Sequence, residues 1–217
     1  MTEYLTEQEQ LERLKQLVKQ YGPAVVFGLL VAFIFTFGWH KWQDYQNRVR
    51  VEASIAYENL LTDVQKKDSA ATDRDAANLV KEYGRTPYAT LARFIQAREA
   101  LDQGDSSRAS TALVQAMHKS ADRGLREIAR LRLARLRASE GKGDEALALL
   151  NDVENPAFSG LRDTIRGDVL LLQKNLAGAR EAYDLAFREL PAESGILKTL
   201  VQMKYDSLGT NKVKETG

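Results

Sequence analysis

Apolar residues along this chain follow two patterns. "PAVVFGLLVAFIFTFGWHKW", from Pro23 to Trp42, lies in a stretch where Gln20 to His40 holds no Lys, Arg, Asp or Glu, and wound as a helix it is apolar on every side. After Val49 apolar residues instead recur at helical three- and four-residue spacing, and no alternating run predicts a strand. The first pattern predicts a membrane span, the second a succession of paired helices.

The uncharged stretch is 21 residues long, which at 1.5 Å per residue spans about 30 Å, the thickness of a hydrocarbon core. Its Leu, Ile, Val and Phe side chains favour insertion by about 3 to 6 kcal/mol before Gly, Pro and Thr subtract. Trp39, Trp42 and Tyr45 crowd one edge as an aromatic belt, Tyr21 marks the other, and Pro23 suits the first turn of the helix. A cleaved signal needs a basic start, but Glu3, Glu7, Glu9 and Glu12 make this start acidic. A permanent anchor over residues 21–42 is the expectation. Orientation stays open on charge alone, because Arg13, Lys15 and Lys19 on one side balance Lys41, Arg48 and Arg50 on the other. Ala24, Gly28, Ala32 and Thr36 recur every four residues and form a candidate stripe for packing against another membrane helix. Residues 1–20 read as a short amphipathic segment, with Thr6 and Glu9 in capping-box spacing and Leu11, Leu14 and Val18 on one face; a frayed polar tail fits them as well.

Beyond the span three stretches align: "AREALDQGDSSRASTALVQA", "ARLRASEGKGDEALALLNDV" and "GDVLLLQKNLAGAREAYDLA". Gly104, Gly141 and Lys174 fall at the turn between two helices. Ala109, Ala146 and Ala179 then follow at 37- and 33-residue steps. This resembles the tetratricopeptide repeat, a helix–turn–helix unit of about 34 residues. Ala97, Ala134 and Gly167 are small where two helices must cross, while Leu113, Leu150 and Tyr183 are large enough to fill the gap to the next unit. Thr86–Pro87 and Asn155–Pro156 predict helix starts, and Pro191 in "ELPAES" closes the third unit. A degenerate unit is expected from about Ala53 to Gly84, with Ala76 one period before Ala109. The fold class expected is all-α, an N-terminal transmembrane helix followed by a tetratricopeptide-repeat-like α-solenoid over residues 43–209 and a flexible tail at 210–217. A non-repetitive helical bundle is the alternative.

Stacked units leave a concave face. By analogy with other such arrays, Phe94, Arg98, Leu131, Arg135, Thr164 and Asp168 are the candidate peptide groove, apolar members holding a side chain and Arg98 and Arg135 gripping a carboxylate or carbonyl. Phe94 and Leu131 serve equally as core.

Composition narrows the function. With 31 basic and 30 acidic residues the chain has no strongly positive surface for nucleic acid. Without cysteine there is no disulfide, thiolate chemistry or Cys-based zinc site, and the two histidines, His40 and His118, lie far apart in the sequence. Arg126, Arg130, Arg132, Arg135 and Arg137 spread over several helix faces and read as a solvated surface, with contact to an acidic partner as the alternative. No Gly-rich phosphate loop or nucleophile elbow occurs. Catalytic residues, metal and cofactor are all expected to be none.

The whole layout resembles the ancillary SecYEG translocon subunit family, the YfgM-like inner-membrane proteins of Gram-negative bacteria. The likeness rests on the acidic N-terminal helix, "GWHKWQDYQ", "SIAYENLLTDV", "TPYATLARFIQA", "IARLRLARL", "IRGDVLLLQKNLAGAREAYDLA" and "LKTLVQMKYDSLG" in that order. It implies a single-pass inner-membrane protein with a cytoplasmic N-terminus and a periplasmic repeat domain. The implied partners are the SecYEG channel, the PpiD-like membrane-anchored periplasmic chaperone and emerging polypeptides. The implied role is to help hand those polypeptides to periplasmic folding factors, without catalysis. An anchored repeat scaffold for a cell-envelope complex unconnected with secretion is the rival reading.

Overall fold

The computed structural model describes residues 7–210, with the side chains of residues 7–10, 16, 23–25, 29, 31 and 210 outside the description. The expected capping residue Thr6, the side chain of Ala24 and the tail after residue 210 therefore lie outside the described residues. Among the described residues every element is helical and none is a strand. The chain divides into two units, Met1–Val51 and Glu52–Gly217.

The first unit is built on helix α1, Glu7–Lys66. Pro23 falls inside this helix rather than in its first turn. Proline has no N–H for the carbonyl four residues earlier, and α1 bends by 41° between the part ending at Gly22 and the part beginning at Val26. Among the described residues no single helix is long and apolar enough to cross a membrane, but this bent pair passes that test together. Val26, Phe27, Leu30, Phe33, Ile34, Phe35 and Phe37 are each 55–70% exposed. The Phe33 and Phe37 rings lie tilted with centroids 4.6 Å apart, and those of Trp39 and Trp42 5.4 Å apart, so these aromatic side chains pack along the helix.

In the second unit the end of α1 leads through α2 (Ser69–Glu82), α3 (Pro87–Asp102), α4 (Ser106–Lys119), α5 (Arg123–Ser139), α6 (Gly143–Asn151), α7 (Ser159–Leu172), α8 (Leu176–Glu189) and α9 (Gly195–Thr210). Four turns within it share one geometry. Lys67, Gly104, Gly141 and Lys174 take φ of 58°, 78°, 77° and 62°. The next amide, of Asp68, Asp105, Lys142 or Asn175, reaches back to the carbonyl of Asp63, Ala100, Arg137 or Leu170 at 2.8–3.1 Å. This closes the outgoing helix with a Schellman-type bond, for which glycine is the least strained residue. Asp68, Asp105 and Asn175 then cap the next helix, accepting from the amides of Ala71, Arg108 and Gly178 at 3.0, 2.8 and 3.0 Å. Thr86 caps α3 ahead of Pro87, and Asn155–Pro156 opens a 3-10 turn that runs into α7.

The Lys67 turn corrects the register of the degenerate unit. Counted from the left-handed residue, Thr72 takes the place of Ala109, Ala146 and Ala179, and Ala76 that of Leu113, Leu150 and Tyr183. Both Thr72 and Ala76 are buried, so a register set by one buried alanine was off by a helical turn.

Core clusters overlap from unit to unit. One joins Leu60 of α1 to Ala76, Leu79, Ala89 and Ala92; the next joins Phe94 and Ala97 of α3 to Leu113 of α4 and Ala129 and Leu133 of α5. A third joins Leu131 and Ala134 to Leu150, Ile165 and Val169, and a fourth packs Tyr183 and Ala186 against Val201 and Leu208 of α9. No pair buries its own faces alone, as expected of stacked repeats. Ala97 and Ala134 are buried, and a Cβ built on Gly167 would stand 2.4 Å from Cε1 of the fully buried Tyr183. Gly167→Ala is therefore expected to destabilise the repeats by about 1–2 kcal/mol, since overpacking against a locked ring outweighs the gain of about 1 kcal/mol in helix propensity. Urea denaturation of the full chain in detergent checks this; an unchanged or raised midpoint would show that the ring moves aside freely.

Candidate functional site

A cleft of about 730 Å³ opens in the second unit between α3 and α5. Its residues come from successive turns. Leu91, Phe94, Ile95, Arg98 and Leu101 line it from α3, Arg132, Arg135, Leu136 and Ser139 from α5, with Leu113 of α4 and Tyr57 near the end of α1. Phe94, Leu113 and Leu136 belong to the core and form an apolar floor. Tyr57 packs against Tyr88, the two rings tilted at 42° with centroids 5.7 Å apart.

The electrostatics of the cleft come from three arginines. Arg98 donates through Nε to both oxygens of Asp102 at 2.9 Å, an exposed pair one helical turn apart. Arg132 lies over the Phe94 ring, its guanidinium carbon 4.3 Å from the centroid. Burial lowers the pKa of Arg132 and the neighbouring Arg135 cation lowers it further, while Tyr57 acts in the opposite sense. Burial also lifts the Tyr57 phenol above its usual range, against the pull of Arg132. Arg135 is exposed and has no hydrogen-bond or ion-pair partner among the described residues.

The six positions read from the sequence separate in space. Phe94, Arg98 and Arg135 line the cleft. Leu131 is packed with Ala134, Ile165 and Val169 in the next core cluster. Thr164 is 1% exposed, its hydroxyl donating to the Gly160 carbonyl at 2.7 Å. Asp168 accepts from the Tyr183 hydroxyl at 2.7 Å and from Lys204 Nζ at 2.5 Å, which ties α7 to α8 and α9. The Tyr183 phenol is accordingly pushed up, by burial first and by Asp168 second. In the sequence these three pairs stand at the same distances from Ala97, Ala134 and Gly167. What each meets depends on the helices that follow it.

Sequence reasoning missed Tyr57 and Arg132. Tyr57 sits in the unit with the weakest repeat signal, and Arg132 was grouped with four other arginines of α5. The structure separates them. Arg126 donates to the Ser120 carbonyl at 3.2 Å, Arg130 to the Asp152 carbonyl, and Arg137 reaches Glu140 at 2.8 Å and Ser110 at 2.9 Å. The spacing of Leu91, Phe94, Arg98 and Leu101 along one face of α3 was the signal that the cleft existed.

Comparison with known proteins agrees with this architecture. The chain matches the tetratricopeptide repeat-like domain family over residues 15–210. It is 27% identical to a protein of Haemophilus influenzae, over 94% of this chain and 98% of the relative. It is 29% identical to a protein of Escherichia coli and 29% identical to one of Aggregatibacter actinomycetemcomitans, each with the same coverage. All three relatives are named ancillary SecYEG translocon subunit, in line with the resemblance read from the sequence. No solved structure gives a significant match.

Proposed function

This chain belongs to the tetratricopeptide repeat-like domain family, and we propose that it serves as a non-catalytic, membrane-anchored adaptor of the SecYEG translocon. Residues 21–42 anchor it in the bacterial inner membrane, with the N-terminus cytoplasmic and the repeats periplasmic. The repeats engage a PpiD-like membrane-anchored chaperone and emerging polypeptides, and help pass the polypeptides to periplasmic folding factors. Tethering at the channel exit raises the effective concentration of the repeats for a chain leaving it.

The observation that carries this reading is likeness over nearly the whole chain to relatives named for the translocon. Coverage of 94% of this chain and 98% of each relative does not allow the likeness to be confined to the repeats. Exposure of Phe27, Leu30, Ile34 and Phe35 supports the anchor, because lipid satisfies such a surface and water does not. The cleft between α3 and α5 supports polypeptide binding.

Affinity purification of the tagged full chain in mild detergent is expected to recover the channel subunits. Recovery of other cell-envelope proteins without any channel subunit would end the reading in favour of a scaffold unconnected with secretion. The stripe contributes to docking in the membrane. Gly28 and Ala32 are exposed, Thr36 returns its hydroxyl to the Ala32 carbonyl, and a Cβ on Gly28 would meet nothing within 4 Å. Gly28→Leu with Ala32→Leu therefore leaves this helix unstrained, yet is expected to lower channel recovery about fivefold or more by blocking close approach of a partner helix. Unchanged recovery would remove the stripe and leave the translocon reading in place.

A further inference from the structure

We propose that the α3–α5 cleft selects an internal acidic residue flanked by apolar residues in a partner polypeptide. Arg132 and Arg135 hold its carboxylate, and the apolar lining of Leu91, Ile95 and Leu101 takes an apolar neighbour. The proposal rests on the adaptor reading and specifies its ligand.

Charge complementarity argues for the acidic residue. The cleft is lined by three arginines and by no aspartate or glutamate. Arg98 already has both oxygens of Asp102, but neither Arg132 nor Arg135 has a carboxylate partner among the described residues. On the same helix Arg130 and Arg137 are each drawn to acids, Glu127 at 3.7 Å and Glu140 at 2.8 Å. Two cations are thus left side by side at one wall, where Arg135 acts on Arg132 as an uncompensated like charge. A carboxylate between them relieves that repulsion and accepts a bidentate or shared hydrogen bond.

The order of lining residues argues for an internal residue rather than a chain end. Along α3, Leu91, Phe94 and Ile95 precede Arg98 and Leu101 follows it; along α5, Leu136 follows the arginine pair. Apolar lining that continues past the arginines on both helices suits a chain that passes through. A volume of about 730 Å³ lies within the range of about 300–1,000 Å³ usual for ligand sites.

The test uses the full chain in nanodiscs of zwitterionic lipid and fluorescent ten-residue peptides, acetylated and amidated so that neither end is charged. A peptide with one central Glu among Leu and Ala is expected to bind about tenfold tighter than its Gln counterpart, with the difference shrinking as salt rises. Arg135→Gln is expected to abolish the difference. Arg135 has no partner to lose, so the fold should survive, and unchanged circular dichroism would confirm that. Equal binding of the two peptides, or of neither, overturns the proposal. So does binding only when the C-terminal amide is replaced by a free carboxylate, which would assign the cations to a chain end. Displacement of the Glu peptide by phosphatidylglycerol vesicles, with no effect of neutral ones, would give the cations to lipid headgroups and overturn it too. Channel recovery is read separately, so failure here leaves the translocon reading standing, and the reverse holds as well.

Discussion

Replacing Asp163 by alanine is expected to cost the helical repeats about 3–5 kcal/mol and to lower the melting temperature of the full chain in detergent by about 10 °C. The carboxylate of Asp163 is 1% exposed and is held from two sides. Arg162 donates through Nε to Oδ1 at 2.9 Å and through Nη2 to Oδ2 at 2.6 Å; Arg166 donates through Nη1 to Oδ1 at 3.0 Å. Each arginine also reaches beyond α7, Arg162 toward Glu189 of α8 at 3.6 Å and Arg166 to Asn151 of α6 at 2.9 Å. The aspartate thus aligns two cations that join three consecutive helices. Its removal leaves both guanidinium groups short of their partner in a site where they are only 24% and 27% exposed, and that loss exceeds what a surface pair is worth. A melting temperature within about 2 °C of the parent would show that water replaces the clamp at little cost.

Phe33→Arg combined with Phe35→Arg is expected to release the chain from membranes under alkaline carbonate. Each change moves one position near the middle of the proposed span from a favourable to an unfavourable transfer energy. The shift is about 3 kcal/mol per residue and about 6 kcal/mol together. That equals or exceeds the whole insertion preference of about 3 to 6 kcal/mol carried by the apolar stretch. Phe33 and Phe35 are 60% and 70% exposed, and their ring contacts are with Phe37 and Trp39 of the same helix. The repeats, residues 52–210, should keep their own melting transition. Retention of the double variant in the membrane pellet would show that residues 21–42 are not what holds the chain there.

Local chemistry was legible along the chain wherever one residue type answers one physical need. Gly104 and Gly141 were expected at turns and take the left-handed conformation that glycine tolerates best. Thr86 before Pro87 was expected to start a helix and caps α3. Gly167 was expected where two helices cross and lies under the Tyr183 ring. The Lys67 turn could not be read, because lysine does not advertise a positive φ, and the register of the first unit shifted with it. Pro23 was placed at a helix start because proline is favoured there. The helix continues through it, since the run before it is helical in its own right.

Sequence alone determined that the chain is helical after Val49, that small residues recur where helices cross, and that one segment is apolar on all sides. These depend on periodicity and side-chain size, which are properties of neighbours in the chain. Only tertiary structure decided that Phe94 and Arg135 share a cleft while Leu131, Thr164 and Asp168 do not. It also decided that Arg132 lies on Phe94 while Arg137 pairs with Glu140. Which side of a helix meets water is set by the next helix laid against it, and residues such as Lys204, 36 positions away from Asp168, carry that information.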